Sequence, residues 1–294
     1  MLQSAINVSE GRDGNLISTL VAAGGASVVD CHSDPFHHRS VLTLLGEADV
    51  VVAGALGIVA AARHSLSLAA HEGVHPRFGV VDVVPFTPFL PYRRPATPVD
   101  FTEASAAAVA FVRAAGATGQ ATATYGIGGS FATLPELRRH LRTAPALDVD
   151  AGVISVGVRD VLIAYNVVVT GLDQGALAGV ASAVRSAELR TLPLTLGDGA
   201  DAVLQVSCNV VAPFAITLDA VVDRVAAALP NGASVVQGEL VGLMPAWALT
   251  ALPPERWHEL GVSASSTLEA HLERVALLGG AHRDGATLDG TGTA

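Results

Sequence analysis

The order in which apolar periodicity changes along this chain restricts its fold more than any motif does. Alternation with a period of two marks a strand, and a period near 3.6 marks a helix. Leu2–Val8 reads as a short strand. Arg12–Ala23 reads as a helix that stops at Gly24-Gly25, a pair suited to a left-handed C-cap. Ala26–Cys31 and Ser40–Leu45 read as strands, Ala48–Ala70 as a long Ala/Val/Leu helix, and Phe78–Phe86 as a strand stopped by Pro85 and Pro88. The order is β-α-β-β-α-β.

The second half repeats that order. Val161–Val169 is strand-like and Leu172–Leu189 helical. Leu192–Leu196 and Ala202–Val211 are strands joined by the turn-forming Gly197-Asp198-Gly199. Thr217–Leu229 is a helix with Thr217 as its N-cap, and Ala233–Val241 returns as a strand. No residue-level repeat accompanies this; the duplication rests on element order alone. The expectation is an α+β fold with two ferredoxin-like (βαββαβ) subdomains in tandem. They occupy residues 1–155 and 156–282, and a polar, Gly-rich tail at 283–294 is expected to be disordered. Between the plaits lies an extension. Asp100 with Glu103, and Thr133 with Glu136, read as capping boxes for two helices. Ala121–Tyr125 reads as a strand and Thr143–Gly152 as a linker.

Composition removes several function classes. The 294 residues suffice for one large or two ordinary domains. A net charge of −10 argues against a general nucleic-acid binder. All 17 basic residues are Arg, so neither a Schiff-base lysine nor a P-loop lysine exists. Cys31 and Cys208 sit in apolar runs and read as small hydrophobes, not a disulfide or redox pair. No charged-then-apolar leader opens the chain. The apolar run Val50–Ala62 is short of the ~20 residues of a membrane span and reads as a buried helix. A cytoplasmic protein with no membrane partner is expected.

The stretch His71–Phe86, "HEGVHPRFGVVDVVPF", opens with the zinc-protease pattern H-E-x-x-H. That motif works on a helix, where histidines at i and i+4 share a face. Gly73 reads instead as the C-cap of the preceding helix, and Pro76 pushes His75 out of the α region. No metal is expected. His71 then reads as a helix-end histidine on the last carbonyls, whereas His75 falls in a loop, rigidly aimed and open to solvent. His32, His37 and His38 cluster in "CHSDPFHHRSV". That cluster is either a polar loop between two strands or one wall of a site facing the His75 loop.

Several stretches together resemble the glutamate formimidoyltransferase (formiminotransferase) family. They are "NVSEG" (7–11), "DPFHHRSVLTLLG" (34–46), "HEGVHPRFGVVDVVPF" (71–86), "TLPELR" (133–138), "VGVRDVLIAYNV" (156–167), "QVSCN" (205–209) and "GELVGLMP" (238–245). They run in order over about residues 7 to 250, with no length left for the cyclodeaminase fused to the animal enzymes. The resemblance implies two ferredoxin-like subdomains and a homodimer. It also implies transfer of a formimino group from N-formimino-L-glutamate to N5 of tetrahydrofolate, a co-substrate, in histidine breakdown.

The family's catalytic histidine falls on His75. A group titrating near neutral pH can take a proton from the attacking nitrogen and return one to the leaving nitrogen. Arg39 and Arg77 are candidates for the substrate carboxylates, since a guanidinium grips a carboxylate with two hydrogen bonds; the alternative is a surface ion pair. The family's folate segment lands on Pro145, Ala146, Leu147, Asp148, Val149, Asp150, Ala151 and Gly152. Arg138, Arg139 and Arg142 nearby either attract a folate polyglutamate tail or form a solvated helix face. The chain departs from the family where a catalytic aspartate aligns with His32; Asp30 and Asp34 flank it, and Asp34, in the D-P turn, is the better substitute. The folate segment also lacks the D-x-G-P pattern. These departures leave two alternatives open: a formimino or formyl transferase with another donor or acceptor, and a non-catalytic folate-binding protein.

Overall fold

The computed structural model describes residues 1–73, 77–143, 150–197, 199 and 202–274. The described residues form two sheets. The first contains β1 (Leu2–Val8), β2 (Val28–Asp34), β3 (Arg39–Gly46), β4 (Val81–Pro88), β5 (Ala121–Gly126) and β6 (Val153–Val158), in the order β2-β3-β1-β4-β6-β5. Pairing is antiparallel from β2 to β4, whereas β4, β6 and β5 run parallel. The second contains β7 (Ile163–Thr170), β8 (Leu189–Leu196), β9 (Val203–Val210) and β10 (Ser234–Val241), all antiparallel, in the order β10-β7-β9-β8. The protein is α+β, with one mixed and one antiparallel sheet.

Period-two alternation decides which face of each sheet is dry. In β1, Leu2, Ile6 and Val8 are fully buried while Gln3, Ala5 and Asn7 are half-buried. The dry side packs on α2 (Ala48–Ser65) and α3 (Phe101–Ala117), with Leu20 of α1 (Gly14–Gly24) completing the core. By length and composition α2 could cross a membrane, but its apolar face, Val51, Ala55, Ile58, Val59 and Ala62, lies in this core. Tyr165, Val167 and Val169 of β7 face a second core with α5 (Gln174–Ala183) and α6 (Leu218–Ala228). The remaining face of the first sheet is covered at the β4-β6 end by α4 (Leu134–Thr143), through Val83, Tyr125 and Leu137.

At its β2-β3 end that face meets the second half of the chain. Val29 and Leu45 pack on Leu268 and Leu243. The ring nitrogens of His271 lie 2.8 Å from the Val29 carbonyl and 3.0 Å from that of Ser265. Trp247 donates to the Leu90 carbonyl at 3.3 Å.

Local expectations fare unevenly. β1 has the expected bounds, and the Thr133–Glu136 box forms, each residue donating a backbone N–H to the other's side chain at 3.3 and 3.4 Å. The Asp100–Glu103 box does not. Arg94 takes both Asp100 oxygens at 2.8 and 3.0 Å, and Glu103 pairs with the chain's own amino terminus. A guanidinium offers a carboxylate two charge-assisted bonds where a cap offers neutral ones. β6 arises directly after the stretch read as linker, in residues to which no element was assigned. It is a six-residue strand buried on both faces, so it has no alternation to reveal it. α2 ends at Ser65, with Leu66 extended at φ −116° and ψ 145°, not at Ala70. Leu66, half-buried, packs against the first core from this extended position. Gly73 is therefore not a C-cap, and His71 does not bond the last helical carbonyls.

Candidate functional site

The site is built on the tip of the β2-β3 hairpin. Asp34 ends β2 and folds the tip into an Asx turn, its Oδ1 accepting from the N–H groups of Phe36 and His37 at 2.7 and 2.8 Å. His38 then takes φ 48°, rare for a residue with a Cβ. The "NVSEG" stretch locks the tip from the end of β1. Glu10, 7% exposed, receives the N–H groups of Gly11, Arg12 and Asp13 on one oxygen at 2.7 to 3.0 Å. Ser40 Oγ donates to the Glu10 carbonyl at 2.6 Å and Arg12 Nε to the Pro35 carbonyl at 2.9 Å. Gly11 must be glycine here, since a Cβ would lie 2.3 Å from the Asp34 carbonyl oxygen and 2.5 Å from the Arg39 nitrogen.

The histidines at the tip are held neutral. Gly11 N–H donates to Nδ1 of His38 at 3.1 Å, so that nitrogen carries a lone pair and the ring proton sits on Nε2. The nearby Glu10 oxygen at 3.5 Å is therefore not the partner of an imidazolium. Burial lowers the His38 pKa and also that of His37, the latter against the pull of Asp34. His71 stacks on His38 with centroids 4.2 Å apart. Burial, then the Arg77 charge and His38, bring His71 down to about 4.

Beside the tip lies a cationic cluster. Asp82 of β4, 3% exposed, accepts the Phe78 N–H at 2.9 Å and pairs with Arg138 of α4. The charge of Asp82 is also felt by Arg39 and Arg77, and burial holds Arg39 down to about 10. Arg77 donates to the carbonyls of His38 and His37 at 3.3 and 3.2 Å, bracing the tip. Arg138 thus belongs to a buried ion pair; it is neither a solvated helix face nor a free hand for a polyglutamate tail. Arg139 and Arg142 of the same helix are exposed. The charges of Asp82 and Asp34 both bear on Arg39, and Asp82 bears on Arg77 and pairs with Arg138.

His75, the expected acid–base residue, lies outside the described residues, as do Pro145, Ala146, Leu147, Asp148 and Val149. Asp150, Ala151 and Gly152 run alongside the approach to β4. The Asp150 carbonyl accepts from Leu68 N–H, that of Ala151 from Val80 N–H, and that of Gly152 from Gln120 Nε2. The structure brings Asp34, Arg39 and Arg77 into one region around the hairpin. His32 stands two residues before Asp34 on the same face of β2 and looks across to the second sheet, its Nε2 3.7 Å from Glu239 Oε1. His37 Nε2 lies 3.3 Å from Gln205 Oε1, and Asn166 Nδ2 donates to Glu239 at 2.9 Å.

Sequence reading assigned no role to Glu10, Asp82, Asn166, Gln205 or Glu239. All five lie inside stretches that carry the family resemblance, and each is a polar side chain set in or beside an otherwise apolar strand. That contrast was the available signal. With α2 ended at Ser65, His71 lies outside any helix, whereas the H-E-x-x-H motif works on one.

Comparison with known proteins agrees with the stretches quoted. Residues 1–123 match the family model described as formiminotransferase domain, N-terminal subdomain. A glutamate formimidoyltransferase of Thermoplasma acidophilum is 26% identical over 94% of this chain and 98% of its own length. One from Streptococcus pyogenes serotype M1 is 38% identical over 28% of this chain and 29% of its own. The formimidoyltransferase-cyclodeaminase of Sus scrofa is 35% identical over 30% of this chain and 17% of its own. The chain is thus similar to the formiminotransferase domain over its first 123 residues, and it aligns along nearly its whole length with one glutamate formimidoyltransferase.

Proposed function

We propose that this protein is a glutamate formimidoyltransferase, moving the formimino group of N-formimino-L-glutamate to N5 of tetrahydrofolate. The observation that carries this reading is the meeting of the family-like stretches 7–11, 34–46, 77–86 and 133–138 around one hairpin tip and one arginine cluster. The reaction needs no redox step. N5 attacks the amidine-like carbon, the bond from that carbon to the glutamate nitrogen breaks, and the proton lost by N5 ends on that nitrogen. A histidine can carry the proton between them, and we assign that role to His75. Asp34 and His32 are its candidate partners. Arg39 and Arg77 are assigned to the carboxylates of formiminoglutamate, and Pro145–Gly152 to the folate. The residues suit the anionic substrates: Arg39 lies in a cluster with more guanidiniums than carboxylates, and Arg77 stands beside it.

In the same reading the two sheets are the cores of tandem ferredoxin-like subdomains, residues 1–155 and 156–282, a boundary that falls within β6 of the first sheet. The strand order supports it: β4-β1-β3-β2 in the first half and β10-β7-β9-β8 in the second are the same path, with β6 and β5 added beyond β4. The tail 283–294 lies outside the described residues. A cytoplasmic homodimer acting in histidine breakdown completes the proposal.

An ultraviolet assay of tetrahydrofolate with formiminoglutamate, run beside 5-formyltetrahydrofolate with glutamate, tests it. Turnover of the first pair is expected, and His75→Ala should abolish it while leaving folate binding measurable by calorimetry. Turnover of neither pair, with folate still bound, would favour the non-catalytic alternative; unchanged turnover in His75→Ala would remove His75 from the mechanism.

A further inference from the structure

The seam between the two sheets carries a carboxylate to which the mechanism above gives no task. β2 turns His32 and Asp34 to one face, being two residues apart in a strand. The second sheet answers from three adjacent strands, with Asn166 on β7, Gln205 on β9 and Glu239 on β10. Glu239 Oε2 accepts from Asn166 Nδ2 at 2.9 Å and Gln205 Nε2 at 3.4 Å. Those two amides fix the carboxylate on its own sheet and leave Oε1 facing His32 Nε2 at 3.7 Å.

The same contacts orient Gln205. With its amide nitrogen on Glu239, its oxygen must face His37, whose Nε2 lies 3.3 Å away and therefore carries the ring proton. That nitrogen is also 3.7 Å from Asp34 Oδ2. The polar path thus leaves β2 at His32, crosses to Glu239 and Gln205, and returns through His37 to Asp34. Glu239 keeps 34% and His32 27% of its side chain exposed, so the contact is only half shielded from water and the two amides are what fix the carboxylate in place. Asn166 and Gln205 meet one oxygen, and His32 is placed to meet the other.

We infer that Glu239 is a positioning residue of the reaction site, holding His32 from across the seam and, through Gln205, setting His37 beside Asp34. This rests on the transferase reading above. It makes the site depend on both halves of the chain, so the second sheet shapes the hairpin of the first.

Glu239→Gln keeps the shape and removes the charge. It is tested alone, with His32→Asn, and combined with it, alongside thermal unfolding. Expected are a kcat lowered roughly tenfold with each KM held within about twofold, and no further loss when the change is added to His32→Asn. Ring-nitrogen NMR of the ligand-free protein is the second measurement, in which the His32 signals should move in Glu239→Gln. Unmoved His32 signals overturn the assignment whatever the assay gives. So do an unchanged kcat, or losses that multiply in the double variant. Wild-type protein that transfers no formimino group, with the His32 shift intact, counts against the transferase reading and not against the contact.

Discussion

Asp82 of β4 and Arg138 of α4, 56 residues apart in sequence, close a buried ion pair beneath the hairpin tip. The pair fastens α4 to the sheet and supplies the counter-charge for Arg39 and Arg77. Asp82→Asn leaves these guanidiniums without it. Unfolding by urea should show a loss of about 3–5 kcal/mol, the usual cost of breaking one side of a buried pair. A loss under about 1 kcal/mol would mean that the pair is effectively solvated.

The neutral state of His71 predicts an acid-side weakening of the fold. Its pKa drops from 6.5 to about 4, with Arg77, His38, Glu10 and Arg12 as the charged or titratable neighbours after burial. Below 6.5 the unfolded chain takes up a proton that the folded chain refuses. Stability therefore falls as pH drops from 6.5 toward 4 and levels off for this group below 4. His37 and His38 are lowered too and add to the same slope. His71→Phe should flatten the pH dependence of thermal unfolding in that window; an unaltered slope would show that the ring titrates normally.

Gly73 is predicted to be irreplaceable for a reason other than helix capping. A Cβ there would sit 2.6 Å from Arg77 Nη2 and 2.7 Å from the His37 carbonyl oxygen, where Arg77 braces the tip. Gly73→Ala should cost about 1–3 kcal/mol. Gly116→Ala on α3 is the control: its Cβ meets nothing within 4 Å, and helix propensity should add up to about 1 kcal/mol. Equal effects in urea unfolding would contradict the close approach.

Arg39 is assigned to a substrate carboxylate, and Arg39→Lys separates charge from geometry. A lysine keeps the cation but loses the planar fork. The KM for formiminoglutamate should rise about tenfold, while the Kd for folate stays unchanged. An unaltered KM would take Arg39 out of donor binding.

Much of the fold was legible because periodicity reports burial directly. β1 and the helix–strand order of both halves follow from which residues alternate. β6 escaped because a strand buried on both faces shows no alternation. The end of α2 escaped because Leu66 continues the apolar pattern while its backbone leaves the helix. The Asp100 cap escaped because its competitor, Arg94, becomes visible only as a neighbour in space.

For the site, residue types and order by themselves determined the resemblance and the candidate groups: His75, Asp34, Arg39 and Arg77 stand in stretches whose letters carry it, and the absence of lysine left cation chemistry to arginine. Only the tertiary structure decided which of those groups act together. It drew Arg138 into a buried pair, gave Glu10 the hairpin tip to hold, and set Glu239 against His32. These contacts join residues far apart in the chain, and their existence depends on strand register and on which faces of the two sheets meet. No local pattern encodes that, because the side chains that meet are chosen by packing and not by their neighbours in sequence.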